Sequence, residues 1–137
     1  MEIIQSIAGF FIAIGILVTF HEFGHFYVAR LFNVKVLNFS IGFGKKIYTK
    51  KTTLDGTEYS IGLIPLGGYV KMLESRESED SMDVSLLNQC FDKQSVYKKF
   101  LIVAAGPIFN LILAVIFFIF VHFSGIAGMK PYITSID

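Results

Sequence analysis

The chain has 137 residues, 53% hydrophobic and 15% aromatic, with 17% charged and a formal net charge of +1. With a mean hydropathy of +0.61, it is too apolar for an ordinary water-soluble domain, in which about a quarter of residues are charged. No basic stripe interleaved with aromatics suggests nucleic acid as a partner, and one cysteine, Cys90, excludes an internal disulfide.

The first element runs from about Ile4 to Leu31, and from Ile3 to Phe20 it holds no charged residue. It lacks the basic start of a secretory signal, carries Glu2 instead, and shows no small-residue cleavage pattern. We read it as a retained membrane helix. At its inner end stands His21-Glu22-Phe23-Gly24-His25. Residues four apart share a helix face, so His21 and His25 can offer two nitrogens to one metal ion. Glu22 is placed to act on a metal-activated water without ligating the metal, the pattern of a zinc peptidase with a glutamate base. Interfacial histidines beside a snorkelling glutamate are the bland alternative. Ionisable groups inside a membrane segment are costly and usually mark function.

The connection that follows, Asn33 to Tyr97, is not a continuous helix. Lys46–Leu54 and Thr57–Ile64 flank Asp55-Gly56, which predicts a hairpin with a type I′ turn. Gly42-Phe43-Gly44 and Pro65-Leu66-Gly67-Gly68 bracket it as turns or bulges. Ile61, Leu63, Ile64 and Leu66 could touch lipid or the protein's own helices. A sheet edge in lipid must be paired or covered, and pairing with an extended substrate segment is one solution. A small cytoplasmic sheet is the other. Glu74–Asp83 is charge-dense and glycine-free, a solvated loop without assigned chemistry.

The second span, Phe100–Met129, has no Asp, Glu, Lys or Arg over thirty residues, enough to cross a hydrocarbon layer about 30 Å thick. Of the 12 Lys and Arg, 11 lie between Arg30 and Lys99, so the positive-inside rule puts the connection in the cytoplasm and both termini outside it. The fold class expected is a mainly α-helical membrane protein, two transmembrane helices joined by a cytoplasmic, membrane-associated β-hairpin region. His21 lies about 13 Å in from Arg30, and Asn110 about 16 Å in from Lys99, at 1.5 Å per residue. These levels match. His122, about 34 Å from Lys99, falls at the far interface and is no ligand. Gly106 permits close helix approach, and Pro107 frees a carbonyl one turn earlier.

The runs HEFGHFYVAR, FSIGFGKKI, GTEYSIGLIPLGGYVKM and KKFLIVAAGPIFN, in this order, resemble the N-terminal part of the site-2 protease family, in its regulator of sigma-E protease branch. They are spread through residues 10 to 115. The resemblance implies a zinc endopeptidase of a bacterial inner membrane that cuts transmembrane segments of single-pass proteins. His21 and His25 would be zinc ligands and Glu22 the base. Residues 38–72 would be the family's membrane-associated hairpin, with Gly42, Phe43, Gly44, Gly67, Gly68 and Asn110 as the candidate substrate-binding residues. Tyr132–Asp137 resembles the first strand of a periplasmic PDZ domain. The family's third ligand is an aspartate in a Leu-Asp-Gly motif on a later helix. Leu54-Asp55-Gly56 spells that tripeptide, but a hairpin turn accounts for it. The chain alone is therefore expected to be inactive, its third ligand coming from a missing C-terminal half. A silent membrane module that binds transmembrane segments through the hairpin edge is the alternative.

Overall fold

The unbroken apolar run at the N-terminus folds as one helix, α1 (Glu2–Leu31), and a second, α3 (Val96–Phe123), packs beside it. Between them lie strands β1 (Val36–Lys51) and β2 (Glu58–Met72), a single 3-10 turn at Ser75–Glu77 and a short helix α2 (Val84–Leu87). The computed structural model describes residues 1–77 and 84–124. Part of the Glu74–Asp83 segment, the end of the second apolar span and the strand expected over Tyr132–Asp137 lie outside those residues.

α1 stops at Leu31 because Asn33 turns into the left-handed region, φ +59°, which Asn tolerates better than most residues. The Val34 N–H then bonds Ala29 O at 2.9 Å and the Asn33 N–H bonds Arg30 O at 3.0 Å. That pair is a Schellman closure, with apolar contact between its two ends. Ala29 and Val34 are both buried, beside Val36 and Ile102, with Phe26, Phe32, Val70, Met72 and Phe91 around them. The core therefore sits where the end of α1, the base of the hairpin and the first turns of α3 meet. At the start of α3, the Ser95 hydroxyl accepts the Lys98 N–H, an N-cap worth about 1 kcal/mol.

β1 and β2 pair antiparallel, but both strands are long and bent. On one edge, Asn38–Ile41 pair with Lys71–Gly68; on the other they pair with Glu58–Ile61, whose numbers rise alongside theirs. Lys46–Lys51 then pair with the far side of Glu58–Gly62. Two strands thus make a sheet four segments wide. The register shifts between Ile41 and Lys46, where Gly42 and Gly44 have φ of +84° and +82°. Only glycine holds that backbone cheaply. Gly42–Gly44 and Pro65–Gly68 thus lie inside continuous strands, as irregularities of pairing rather than turns between strands.

The hairpin loop differs from the type I′ turn expected. Type I′ requires positive φ at both central residues, yet only Gly56 has it, at +74°. The strands end at Lys51 and resume at Glu58. The Thr52 N–H bonds Thr57 O at 2.9 Å, and the Gly56 N–H bonds Thr52 O at 3.0 Å. Asp55 keeps an ordinary backbone because its carboxylate caps the Thr57 N–H at 3.0 Å, the local bonding that favours aspartate in turns.

Both long helices have the length and apolarity to cross a membrane. Their outer faces carry large exposed apolar side chains, among them Ile12, Leu111, Phe118 and Phe120. An exposed apolar surface of that extent is foreign to a monomer in water.

Candidate active site

α1 presents two stripes. His21, Gly24 and His25, spaced three and four apart, face α3; Glu22, Phe26 and Arg30, spaced four apart, face the hairpin. The helical repeat alone separates the imidazoles from the carboxylate in this way. The two imidazole rings stand 4.8 Å apart between centroids and nearly perpendicular, at 82°.

α3 answers with a stripe of its own, Ile102, Gly106 and Asn110, again four apart. His25 Nδ1 lies 2.8 Å from Ile102 O. A carbonyl only accepts, so Nδ1 carries the proton and the lone pair of Nε2 is free, the tautomer a metal needs. At His21, Nδ1 lies 3.2 Å from the amide nitrogen of Asn110, while Asn110 Oδ1 is buried without a partner. Amide nitrogen and oxygen exchange by a half-turn of the side chain. With Oδ1 toward His21, it accepts the Nδ1 proton, the buried oxygen gains its partner, and His21 Nε2 becomes free as well. Asn110, expected from sequence among the substrate-binding residues, is thus placed against the imidazole. If His21 holds a metal ion, Asn110→Ala should weaken its affinity about 10–100-fold, as loss of an outer partner of a histidine ligand does; a competition titration against a chelator reads this directly.

Between these contacts sits Gly106. A methyl group there would lie 2.4 Å from His25 Nε2 and 2.8 Å from His21 Cε1. The missing side chain leaves a cradle at the point where both rings converge. Gly24 does the same from the other side, since a Cβ on it would meet Ala105 O at 2.6 Å. Two glycines on facing helices let the backbones approach closely. Pro107, next to Gly106, removes the N–H that Val103 O would otherwise accept.

This donor set fits two ligands of a zinc site, with histidines held by outer bonds and both rings set against Gly106. Among the described residues, no group of three His, Cys, Asp or Glu side chains is arranged to hold a metal. Asp55 is not a third ligand. Its Oδ2 bonds the Arg30 guanidinium and its Oδ1 the Thr57 N–H, at the end of α1 beyond His25. His122 stacks on Phe118 near the opposite end of α3, twelve residues or about 18 Å from Asn110.

The hairpin meets the carboxylate stripe. A Cβ on Gly68 would lie 2.8 Å from Glu22 Cγ and 3.4 Å from Val18 Cγ1, so only glycine lets the strand lie on Glu22. Gly67 lies beneath the Phe43 ring, where a Cβ would overlap it at 1.9 Å. Gly42 and Gly44 are thereby one aromatic ring removed from the strand on Glu22. Sequence reasoning missed Gly24, the Ile102 carbonyl and the Arg30–Asp55–Thr57 cluster. The small residue three after His21 was a legible sign of the first; the other two are backbone and long-range contacts with no local signature.

The model of peptidase family M50 matches residues 9–134. The chain belongs to that family. Over 135 residues it is 50% identical to a Vibrio cholerae protein whose name includes the words "zinc metalloprotease", covering 98% of this chain and 29% of that protein. It is 46% identical to Protease RseP of Yersinia pestis, across 100% of this chain and 30% of the relative. Against the Regulator of sigma-E protease RseP of Escherichia coli K12 the identity is 43%, over 99% and 30% respectively. The sigma-E protease branch expected from the four motifs is thus the one the Escherichia coli relative's name gives. The chain spans less than a third of the length of each.

Proposed function

We propose that this M50 chain carries the zinc-binding and general-base half of an intramembrane endopeptidase that cuts transmembrane segments of single-pass proteins. One observation carries the reading: His21 and His25 converge on the Gly106 cradle between two helices apolar enough to span a bilayer. The names of the M50 relatives support zinc and proteolysis, and the exposed apolar faces of α1 and α3 support a bilayer around the site. On this reading the sheet faces the cytoplasm of a bacterial inner membrane, because the Lys- and Arg-rich connection stays inside.

Zinc, when bound, supplies Lewis-acid activation of water and of the scissile carbonyl. The protein's own part follows from the two stripes. Ile102 O and Asn110 hold the imidazoles in the tautomer that leaves Nε2 free. Glu22, on the adjoining face, takes the proton from the attacking water and returns it to the leaving amide nitrogen. The segment Gly68–Val70 has no strand partner on its outer edge among the described residues and lies on Glu22 through Gly68. A substrate segment added to that edge would be extended, its peptide bond stripped of helical shielding. The opposite edge, Lys46–Lys51, is guarded by lysines, a usual defence against pairing.

The third zinc ligand is proposed to come from outside residues 1–137. Since the described residues offer only two ligands, a module that binds transmembrane segments without cutting them is the second reading. Cleavage of a single-pass substrate in detergent by the full-length gene product, wild type and Glu22→Gln, separates the two. Cutting by the wild type alone supports the peptidase; equal cutting, or none by either, overturns it.

A further inference from the structure

Glu22, Phe26 and Arg30 form the stripe on which the hairpin rests, and each has its own contact. Gly68 lies on Glu22. The Phe26 ring meets Phe39 at 5.3 Å and Tyr59 at 6.0 Å between centroids, edge to face. Arg30 Nη2 donates to Asp55 Oδ2 and, at 2.8 Å, to Thr57 Oγ1, while its guanidinium lies 5.1 Å over the Phe26 ring. Thr57 is fully buried, and its hydroxyl donates onward to Val36 O at 2.8 Å. The hairpin loop is thus tied at once to the last turn of α1 and to the first residue of β1.

We infer that Arg30, Asp55 and Thr57 act as a positioning clamp for the peptidase reaction, fixing where the hairpin sets a substrate segment over Glu22. The inference rests on the proposed peptidase reading. The physical reason is leverage. The hairpin meets this stripe at Gly68 on Glu22 and at Phe39 and Tyr59 on Phe26, and Arg30, eight residues or about 12 Å from Glu22 along it, is the farthest of the three contacts. A strand edge that slides by one residue presents a different peptide bond to the base, about 3.3 Å away. The contact is no ordinary surface ion pair, because a buried hydroxyl relays it to the backbone of β1. The Thr57 N–H and then the Arg30 guanidinium hold the Asp55 carboxyl below the usual carboxylate range, so the bridge stands at neutral pH.

Asp55→Asn is the informative change. Asn keeps an oxygen for the Thr57 N–H and so preserves the loop, but loses the charge that holds Arg30. In the full-length gene product in detergent, the wild type should cut a single-pass substrate at one main bond. Asp55→Asn should lower kcat/KM on the order of ten- to hundredfold, the scale of a small misplacement of reacting groups, and spread cleavage to neighbouring bonds. Its zinc content should be unchanged, and Asp55→Glu should restore the single bond. A merely structural role would reduce the amount of active enzyme without moving the cut. A second readout does not depend on activity. Spin labels at Ile12→Cys on α1 and Leu63→Cys on the hairpin, both exposed, should give a distance distribution that broadens in Asp55→Asn. An unchanged distribution, or an unchanged cleavage bond with kcat/KM intact, would overturn the clamp. Should Glu22→Gln cut like the wild type, the peptidase reading falls, and the spin-label distances still decide whether the clamp exists.

Discussion

Glu22→Gln should reduce cleavage of a single-pass substrate about 10²–10⁴-fold, the usual contribution of a positioned general base, and leave bound zinc untouched. The side chain belongs to the stripe facing the hairpin, while His21, Gly24 and His25 form the stripe facing α3. Gln keeps nearly the same volume beneath Gly68, so the 2.8 Å approach of that glycine's Cβ position to Glu22 Cγ is not disturbed. Only the ability to accept and return a proton is lost. Quantifying product by mass spectrometry, with zinc assayed in the same preparation, separates this outcome from misfolding. Loss of zinc together with activity would instead make Glu22 a ligand or a structural support.

Gly106→Ala should disturb both imidazoles at once, which no other glycine of the described residues is placed to do. The added carbon would lie 2.4 Å from His25 Nε2 and 2.8 Å from His21 Cε1, inside any real contact distance. Either the rings rotate, breaking the bonds to Ile102 O and Asn110, or the helices part. Overpacking of this kind costs about 1–3 kcal/mol, and rotation of the rings spoils both ligands together. We expect zinc content to fall at least tenfold, a loss on the scale of disrupted outer-shell support, with cleavage lost in step. Gly9→Ala is the control, because nothing lies within 4 Å of a Cβ there. It should leave zinc content and cleavage at wild-type levels. Full zinc occupancy in Gly106→Ala would show that the metal does not sit between these rings.

Several of these relations are visible in sequence because they follow from helical spacing and depth. His21 and His25 share a face by their separation of four, and the depths counted from Arg30 and Lys99 bring Asn110 to the level of His21, where the structure places it 3.2 Å away. What the depth count cannot supply is direction. The amide of Asn110 lies against the His21 imidazole, a contact that depth alone does not specify. The hairpin was legible from Asp55-Gly56 and the β-branched runs on either side. Its loop type was not, because the Asp55 carboxylate bonds the Thr57 N–H and Arg30 instead of letting Asp55 adopt positive φ. That choice depends on a helix end twenty-five residues away, which no local pattern encodes. The doubling of the sheet was hidden for the same reason. A second partner for Asn38–Ile41 follows from bends at Gly42 and Gly44, whose angles the residue types allow without dictating.

Zinc stoichiometry in the purified full-length gene product, measured for wild type, His21→Ala, His25→Ala and Glu22→Gln, bears most directly on the account. One zinc per molecule in the wild type and in Glu22→Gln, with none retained in either histidine variant, is the outcome required. A full complement of zinc in either histidine variant would contradict it.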